Sequence, residues 1–349
     1  MGEEFLRGLT FDDILIRPAA STIEPAHVEL ETEIVRGLFL TLPFLSAAMD
    51  RVTEEKMAIG LGKLGGIGVL HRNCEVKKQI AMVQNVKKKN VLVGAACGPF
   101  DISRALLLED VGADVIVIDC AHGHNMKVVG SAREMKKKLK RAKLVVGNIA
   151  TKEAALELVT FADAIKVGVG PGSICTTRIV SGVGMPQFSA IYEVAQAVKK
   201  YNVPIIADGG IRTSGDVVKA LAAGASSVMI GNLFAGVIEA PGRIVRKNGI
   251  VYKEYRGMGS RKAMQKRFAR DRYLSKSTYA PPEGVEALIR YRGKLSEVID
   301  ELSGGVKIGL GYVGAKTILQ LQKKAQFVYI TKAGVREGQA HNLDYILNN

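Results

Sequence analysis

The chain has 349 residues, of which 47% are hydrophobic, and a formal net charge of +15 at pH 7. This length and apolar content predict a substantial buried core in one large domain or two ordinary ones. No apolar run reaches the roughly 18 residues of a membrane-spanning helix, and the first residues lack a signal peptide's pattern. We therefore expect a cytoplasmic protein with no membrane role.

Charge and cysteine spacing narrow the class of protein further. Positive charge suits nucleic acid or anionic small molecules as partners. The lysine run at 136–141 is typical of a solvated helix face, however, so nucleic acid is not expected as the main partner. Cys74, Cys97, Cys120 and Cys175 lie far apart, which argues against a disulfide framework and a zinc site. We expect four reduced thiols, three of them packing residues.

Eight short apolar segments alternate with helical patterns along the chain, as parallel βα units do. We therefore predict an α/β fold, a (β/α)8 TIM barrel, with a doubly wound open sheet as the alternative. Polar residues recur where these segments end, which is where such barrels carry their chemistry. The strands are predicted at residues 42–48, 66–71, 91–97, 114–121, 144–150, 164–170, 204–210 and 226–231.

A long excursion follows the eighth predicted strand. Residues at about 240–305 include a basic, tyrosine-containing stretch at 266–279 and the sequence Pro-Pro-Glu-Gly at 281–284. Long loops inside a domain are often mobile covers of a site. We predict a flap over the site in a single catalytic domain spanning 1–349, with a surface insertion as the alternative. Helical periodicity resumes at 312–325.

The most informative local pattern is a glycine-rich loop at 168–178, which opens after the sixth predicted strand and contains Cys175. Glycines let backbone N–H groups approach an anion closely, and a cysteine there can attack what the loop holds. The loops after strands seven and eight often bind phosphate in such barrels; here they contain Asp208 and Gly231. Because a carboxylate accepts hydrogen bonds from ribose hydroxyls, these patterns predict a nucleoside monophosphate pocket.

Taken together, these stretches resemble the IMP dehydrogenase and GMP reductase family along almost the full chain. The resemblance implies a (β/α)8 barrel, usually a homotetramer, and a cysteine thiolate that attacks C2 of a purine nucleoside monophosphate. The matching stretches lie at 9–13, 46–50, 65–69, 119–123, 147–148, 168–177, 208–212 and 255–259.

The resemblance leaves two activities open. A dehydrogenase would oxidise IMP to XMP with NAD⁺ through a covalent cysteine intermediate, in guanine nucleotide biosynthesis. A reductase would convert GMP to IMP and ammonia with NADPH. A non-catalytic nucleotide- or nucleic-acid-binding protein is a third interpretation. Arg272 and Tyr273 match the pair that activates water in dehydrogenases, and Arg72 stands where reductases usually carry lysine, so we expect the dehydrogenase.

Two further features bear on the resemblance. The tail at 331–337 resembles the dehydrogenase segment whose carbonyls help bind potassium beside the cysteine loop of a neighbouring subunit. Typical dehydrogenases insert regulatory CBS modules after the second strand, but His71 and Val91 are too close in sequence to admit them. We therefore expect no CBS domain, and this compact layout resembles the reductase rather than the dehydrogenase. His71 and His122 are not assigned catalytic roles.

By this resemblance the site residues fall into four groups. The expected catalytic residues are Cys175, Thr177, Arg272 and Tyr273. The expected monophosphate-binding residues are Ser46, Ser173, Asp208, Gly210, Gly231, Asn232, Tyr255, Met258, Gly259 and Glu283. The residues expected near the dinucleotide are Asp119, Asn148, Gly168 and Gly170. The carbonyls expected around potassium are those of Gly170, Gly172, Cys175, Glu337, Gly338 and Gln339.

Overall fold

The computed structural model describes residues 7–266, 268 and 281–340. Three short strands precede the barrel: β1 (Ile14–Ile16), β2 (Thr32–Val35) and β3 (Leu38–Leu40). Strands β2 and β3 form an antiparallel hairpin. Its Arg36 donates hydrogen bonds to the carbonyls of Val159 and Tyr201, so the hairpin covers the end of the barrel at which the strands begin.

Eight parallel strands form a closed barrel, in which each pairs with its sequence neighbour and the last pairs with the first. Each lies within a predicted strand or overlaps it almost completely, so the (β/α)8 prediction is confirmed and the open sheet is excluded. The strands are β4 (Phe44–Ser46), β5 (Ile67–Leu70), β6 (Val93–Cys97), β7 (Val115–Asp119), β8 (Lys143–Ile149), β9 (Ala164–Val167), β10 (Ile205–Asp208) and β11 (Ser227–Ile230).

The outer layer is a ring of helices. Each barrel strand packs against side chains of the barrel interior on one face and against the helices on the other. Because both faces are buried, the strands appear as continuous apolar runs in the sequence. One helix of the ring, Ser214–Ala222, is capped by Thr213, which forms reciprocal hydrogen bonds with Asp216. The ring consists of α1 (Glu55–Lys63), α2 (Val76–Lys87), α3 (Ile102–Asp110), α4 (Met126–Lys138), α5 (Lys152–Leu158), α7 (Gln187–Val198), α8 (Ser214–Ala222) and α11 (Leu295–Val313).

Helix α11 begins well before residue 312, where the periodicity suggested that helical structure resumes. It packs between α8 and α1 and so completes the ring. Glycines weaken the helical pattern in this segment, yet they have a packing reason. A Cβ on Gly305 would lie 2.1 Å from Ser214 Oγ, and one on Gly309 would lie 2.7 Å from Val218 Cγ2. The glycines therefore let α11 approach α8 closely.

An antiparallel sheet lies between the last barrel strand and α11, within the residues predicted as a flap. It consists of β12 (Ile244–Lys247), β13 (Ile250–Arg256) and β14 (Glu286–Arg290). The buried pair of Arg256 and Asp50 joins its inner strand to the loop after β4. Burial alone would raise the pKa of Asp50, but hydrogen bonds from Arg256 and Asn73 outweigh it and leave that pKa below its ordinary value.

Smaller elements complete the described chain. Strand β15 (Phe327–Tyr329) pairs antiparallel with β1, which brings together segments from the two ends of the sequence. None of the helices within the described ranges is long and apolar enough to cross a membrane. The short helices are α6 (Thr177–Ser181), α9 (Asn232–Ala235), α10 (Arg261–Gln265), α12 (Ile318–Lys324) and α13 (Lys332–Glu337).

The contact between α1 and β5 gives a test of the barrel packing. A Cβ on Gly68 would lie 2.5 Å from the Cα of Ala58, so Gly68→Ala should lower the free energy of unfolding by about 1–3 kcal/mol. Gly130 lies in α4 with nothing within 4 Å of its Cβ position. Gly130→Ala should therefore raise the free energy of unfolding by about 0.5–1 kcal/mol. Urea denaturation measures both, and equal effects would contradict this packing.

Candidate active site

A cavity of about 330 Å³ opens at the barrel rim where the strands end. The loops after β4, β9, β10 and β11 line it, together with residues 10–12 of the amino-terminal segment. Binding pockets for small molecules span roughly 300–1,000 Å³, so this cavity has the size for a single nucleotide. It contains Ser173, Asp208, Gly210, Gly231, Asn232 and Tyr255, all of them expected to bind the monophosphate.

The cysteine loop leaves β9 through two glycines with positive φ. Gly168 has φ +151°, and a Cβ there would lie 2.1 Å from the carbonyl oxygen of Asp208. Gly170 has φ +78°, and its Cβ would lie 2.7 Å from Arg178 Cγ. Both positions therefore require glycine for the path of the loop itself, independently of the dinucleotide contact expected from the sequence.

Cys175 lies at the start of a chain of hydrogen bonds. Its Sγ is 3.1 Å from Thr177 Oγ1, and that hydroxyl donates to Glu283 Oε2 at 2.7 Å. Cys175 is partly exposed, whereas Cys74, Cys97 and Cys120 are buried, as expected for packing thiols. Burial raises the pKa of the Cys74 thiol. Cys175 is therefore the cysteine that a ligand in this region can reach.

The backbone of the cysteine loop is held by residues of the flap region. Thr176 N–H donates to the carbonyl of Glu283, and Val285 N–H donates to the carbonyl of Ile174. On its other side, Glu283 N–H donates to the carbonyl of Gly259. The segment around Glu283 is thus fixed between the cysteine loop and the turn after β13, which contains Met258 and Gly259.

Hydroxyl and amide groups gather at one end of the cavity. Asn232 Nδ2 donates to Ser173 Oγ at 3.2 Å, and the Tyr255 hydroxyl would lie 3.0 Å from a Cβ on Gly231. Burial raises the pKa of the Tyr255 phenol well above its ordinary value, so this group stays a neutral donor. No N–H of Gly210 or Gly231 donates to another described residue. These donors are suited to a phosphate group.

Asp208 also lines the cavity, and two side chains hold its carboxylate. Lys166, buried on β9, donates to Asp208 Oδ2 at 2.5 Å. Asn148 Nδ2 donates to the same oxygen at 2.8 Å and also donates to the carbonyl of Gly168. Asn148 Oδ1 accepts from Lys166. The amide expected to contact the dinucleotide is therefore engaged with protein groups here.

Other predicted residues lie outside this cavity. Ser46 is fully buried and contacts the Thr53 hydroxyl at 2.8 Å, while Ala47 and Met49 form the cavity wall at that strand end. Asp119 lies buried at the end of β7, beside β8. Arg272 and Tyr273 lie outside the described residues.

The predicted potassium carbonyls are in two places. The Gly172 carbonyl accepts the N–H of Cys175, whereas no hydrogen bond among the described residues reaches the carbonyls of Gly170 and Cys175. Two free carbonyls on one loop suit a monovalent cation. Glu337 ends α13, which packs against residues 11–13, and Gly338 and Gln339 follow it. In the predicted potassium site, these three carbonyls come from a neighbouring subunit.

Several residues around the site were missed by sequence reasoning. Arg178 lines the cavity and donates to the carbonyls of Val169 and Met185. Gln187 bridges the ends of β9 and β10. Arg212 pairs with Asp12 and Asp216. Lys166 was also missed, although its charge within an apolar strand was a signal that could have marked it in advance.

Residues 8–341 match the profile of the IMP dehydrogenase / GMP reductase domain. Inosine-5'-monophosphate dehydrogenase of Cryptosporidium parvum is 42% identical to the chain, over 97% of this chain and 96% of that protein. The enzymes of the same name from Borreliella burgdorferi and Methanocaldococcus jannaschii are 40% and 38% identical, over 96% and 99% of this chain and 97% of each protein.

The chain belongs to the IMP dehydrogenase / GMP reductase family. The alignments span 387, 393 and 483 positions, more than the 349 residues of this chain, so these relatives contain residues that this family member lacks. The expected family is thereby confirmed. The residue roles implied by the resemblance remain predictions.

His71 illustrates why a histidine at the rim need not be a catalytic group. Its Nδ1 accepts from Asn73 N–H, so its Nε2 carries the proton and faces Glu54 at 3.3 Å. This hydrogen bond, opposed by burial and aided by one from Lys78, lowers the pKa of Glu54 from 4.5 to about 2. Both ring nitrogens of His71 are therefore engaged in the fold.

The low pKa of Glu54 predicts a dependence of stability on pH. A carboxyl with a lower pKa in the folded state stabilises the fold fully above its unfolded pKa and loses this effect as the pH falls. Here the loss should run from pH about 4.5 towards pH about 2. Glu54→Gln should therefore give a shallower decline of unfolding free energy with falling pH than the wild type, measured by urea denaturation. Glu153→Gln, at an exposed position, is the control, and parallel wild-type and Glu54→Gln curves would refute the assignment.

Proposed function

We propose that this protein is an oxidoreductase that oxidises IMP to XMP with NAD⁺. The observation that carries the proposal is the hydrogen-bonded series Cys175–Thr177–Glu283, which begins two residues after Ser173 in the wall of a cavity of nucleotide size, in a chain whose relatives bear the name inosine-5'-monophosphate dehydrogenase. A thiol beside a hydroxyl and a carboxylate is the arrangement expected of an activated nucleophile.

The substrate would lie with its phosphate among Ser173, Tyr255 and the N–H groups of Gly210 and Gly231. Its ribose hydroxyls would donate to Asp208, which lines the cavity. The base would then extend towards Cys175 and the backbone around Met258 and Gly259. In this position the purine C2 would be within reach of the sulfur.

The thiol proton has a path in the described geometry. Cys175 passes its proton to Thr177 Oγ1 while Thr177 passes its own to Glu283. The sulfur then bonds to C2, and the hydrogen on C2 leaves as hydride. Bound NAD⁺ supplies the hydride acceptor. Water next attacks C2, the carbon–sulfur bond breaks, and XMP is released; we assign the water's proton to the Arg272–Tyr273 pair.

Different residues are proposed to hold the dinucleotide and the potassium ion. Asp119 and Asn148 lie on the neighbouring strands β7 and β8, at the rim where a dinucleotide would approach the base. The carbonyls of Gly170 and Cys175, together with the tail carbonyls of a neighbouring subunit, would hold potassium. This subunit arrangement is the proposed homotetramer.

The alternative activity is reduction of GMP with NADPH. The short segment between His71 and Val91, which resembles the compact reductase layout, favours it, and the same Glu283–Thr177 path would deliver a proton to departing ammonia. The dehydrogenase is preferred because the relatives compared above all bear that name.

Parallel assays of the two activities test whether the protein is the dehydrogenase or the reductase. Purified protein should form NADH and XMP from IMP and NAD⁺ in potassium buffer, and should not consume NADPH with GMP. Cys175→Ala should abolish turnover yet bind IMP, because the thiol makes the covalent bond and the phosphate and ribose contacts persist. Turnover by this variant would contradict the covalent route, and NADPH oxidation with GMP would favour the reductase.

The proton path predicts a separation of two kinetic steps. Glu283→Gln keeps a partner for Thr177 but cannot accept a proton, so the first burst of NADH should slow by about 100-fold. Replacing Arg272 and Tyr273 should leave that burst and slow the later hydrolysis. Rapid-mixing absorbance at 340 nm separates the two.

Glu286→Gln is the matched control for Glu283→Gln, since Glu286 lies on β14 and pairs with Lys262. Its burst should match that of the wild type. A normal burst in Glu283→Gln would remove the carboxylate from the path of the thiol proton.

A further inference from the structure

Lys166 is a buried charge inside the barrel that the proposed reaction does not use. Its side chain is only 2% exposed, and it lies on β9 between apolar residues. An ammonium group is costly to remove from water unless it is paired and hydrogen-bonded. The hydrogen-bond partners of Lys166 must therefore explain why this charge is buried.

Those partners form a closed triangle of side chains from three adjacent strands. Lys166 Nζ donates to Asp208 Oδ2 and to Asn148 Oδ1, and Asn148 Nδ2 donates to that same Asp208 oxygen. Each member contacts the other two. The carboxylate of Asp208 therefore cannot turn without breaking two hydrogen bonds to one of its oxygens.

The second oxygen of Asp208 is left for a ligand. Oδ1 accepts no hydrogen bond within the described part of the chain, and the side chain lines the cavity with 18% of its surface exposed. A single fixed acceptor facing a nucleotide suits two adjacent ribose hydroxyls, which can converge on one carboxylate oxygen. A sugar without the 2′-hydroxyl donates only one hydrogen bond to this oxygen instead of two.

We infer that Lys166 is the positioning residue that makes the site select ribonucleoside over 2′-deoxyribonucleoside monophosphates. This rests on the proposed binding of a nucleoside monophosphate. A site built to hydrogen-bond a hydroxyl discriminates against an analogue that lacks it, because the buried acceptor loses its partner. Without Lys166 the carboxylate is free to rotate, and that discrimination falls.

A purely structural lysine would behave differently. Lys136 and Asp163 form a comparable pair, at 2.6 Å, at the other end of the barrel. Lys136→Met removes a lysine from an aspartate without touching the cavity. It should leave nucleotide binding as in the wild type.

The test measures binding of IMP and of 2′-deoxy-IMP by calorimetry, without a dinucleotide. The wild type should prefer IMP. Lys166→Met should weaken IMP binding by about tenfold or more and change 2′-deoxy-IMP binding much less, so that the ratio of the two affinities narrows. Lys166→Gln, which retains a shorter donor, should fall between and serves as the second variant if the first does not fold.

The outcomes separate this inference from the proposed function. Wild-type protein that binds neither nucleotide would overturn the proposed function and the inference with it. Wild-type protein that binds both equally would overturn the inference alone. A Lys166 variant that keeps the wild-type ratio, even with both affinities reduced, would show that the lysine only supports the fold.

Discussion

The pairing of β11 with β4 is the constraint on which the site depends. It joins the last barrel strand to the first and forces all eight parallel strands to end at one rim. Cys175, Asp208 and Gly231 lie at the ends of three neighbouring strands, and closure brings Ala47 and Met49, after β4, to the same cavity. An open sheet with the same strands would place the loops after β4 and β11 at opposite edges.

Buried charges fix the rim in place after closure. Lys166 and Asp208 join β9 to β10, and Asp50 and Arg256 join the antiparallel sheet to the loop after β4. Removing such pairs from water offsets much of their attraction, so they contribute little net stability. Their effect is geometric: they hold a carboxylate and a sheet in one orientation. The shape of the cavity therefore depends on these side-chain pairs as well as on the glycine-rich backbone.

The strands and the cysteine loop could be predicted because their patterns are local. Buried parallel strands appear as short apolar runs, and backbone positions with positive φ appear in the sequence as glycines. Contacts between distant residues could not be predicted in this way: Thr177 and Glu283 are separated by 106 positions. The extent of α11 was also hidden, since glycines in its second half reduce helical propensity while two of them serve the contact with α8. Lys166 was visible as a charge, but its role needed Asn148 and Asp208 beside it.

The pairing of β1 with β15 also sets an order of events during protein synthesis. Ile14–Ile16 must stay without its partner strand until Phe327–Tyr329 has left the ribosome. At usual translation rates this interval is on the order of tens of seconds. The barrel can close earlier, once β11 has emerged. The first strand is therefore among the last to reach its final place, and a nascent chain exposes its hydrogen-bonding edge for most of its elongation.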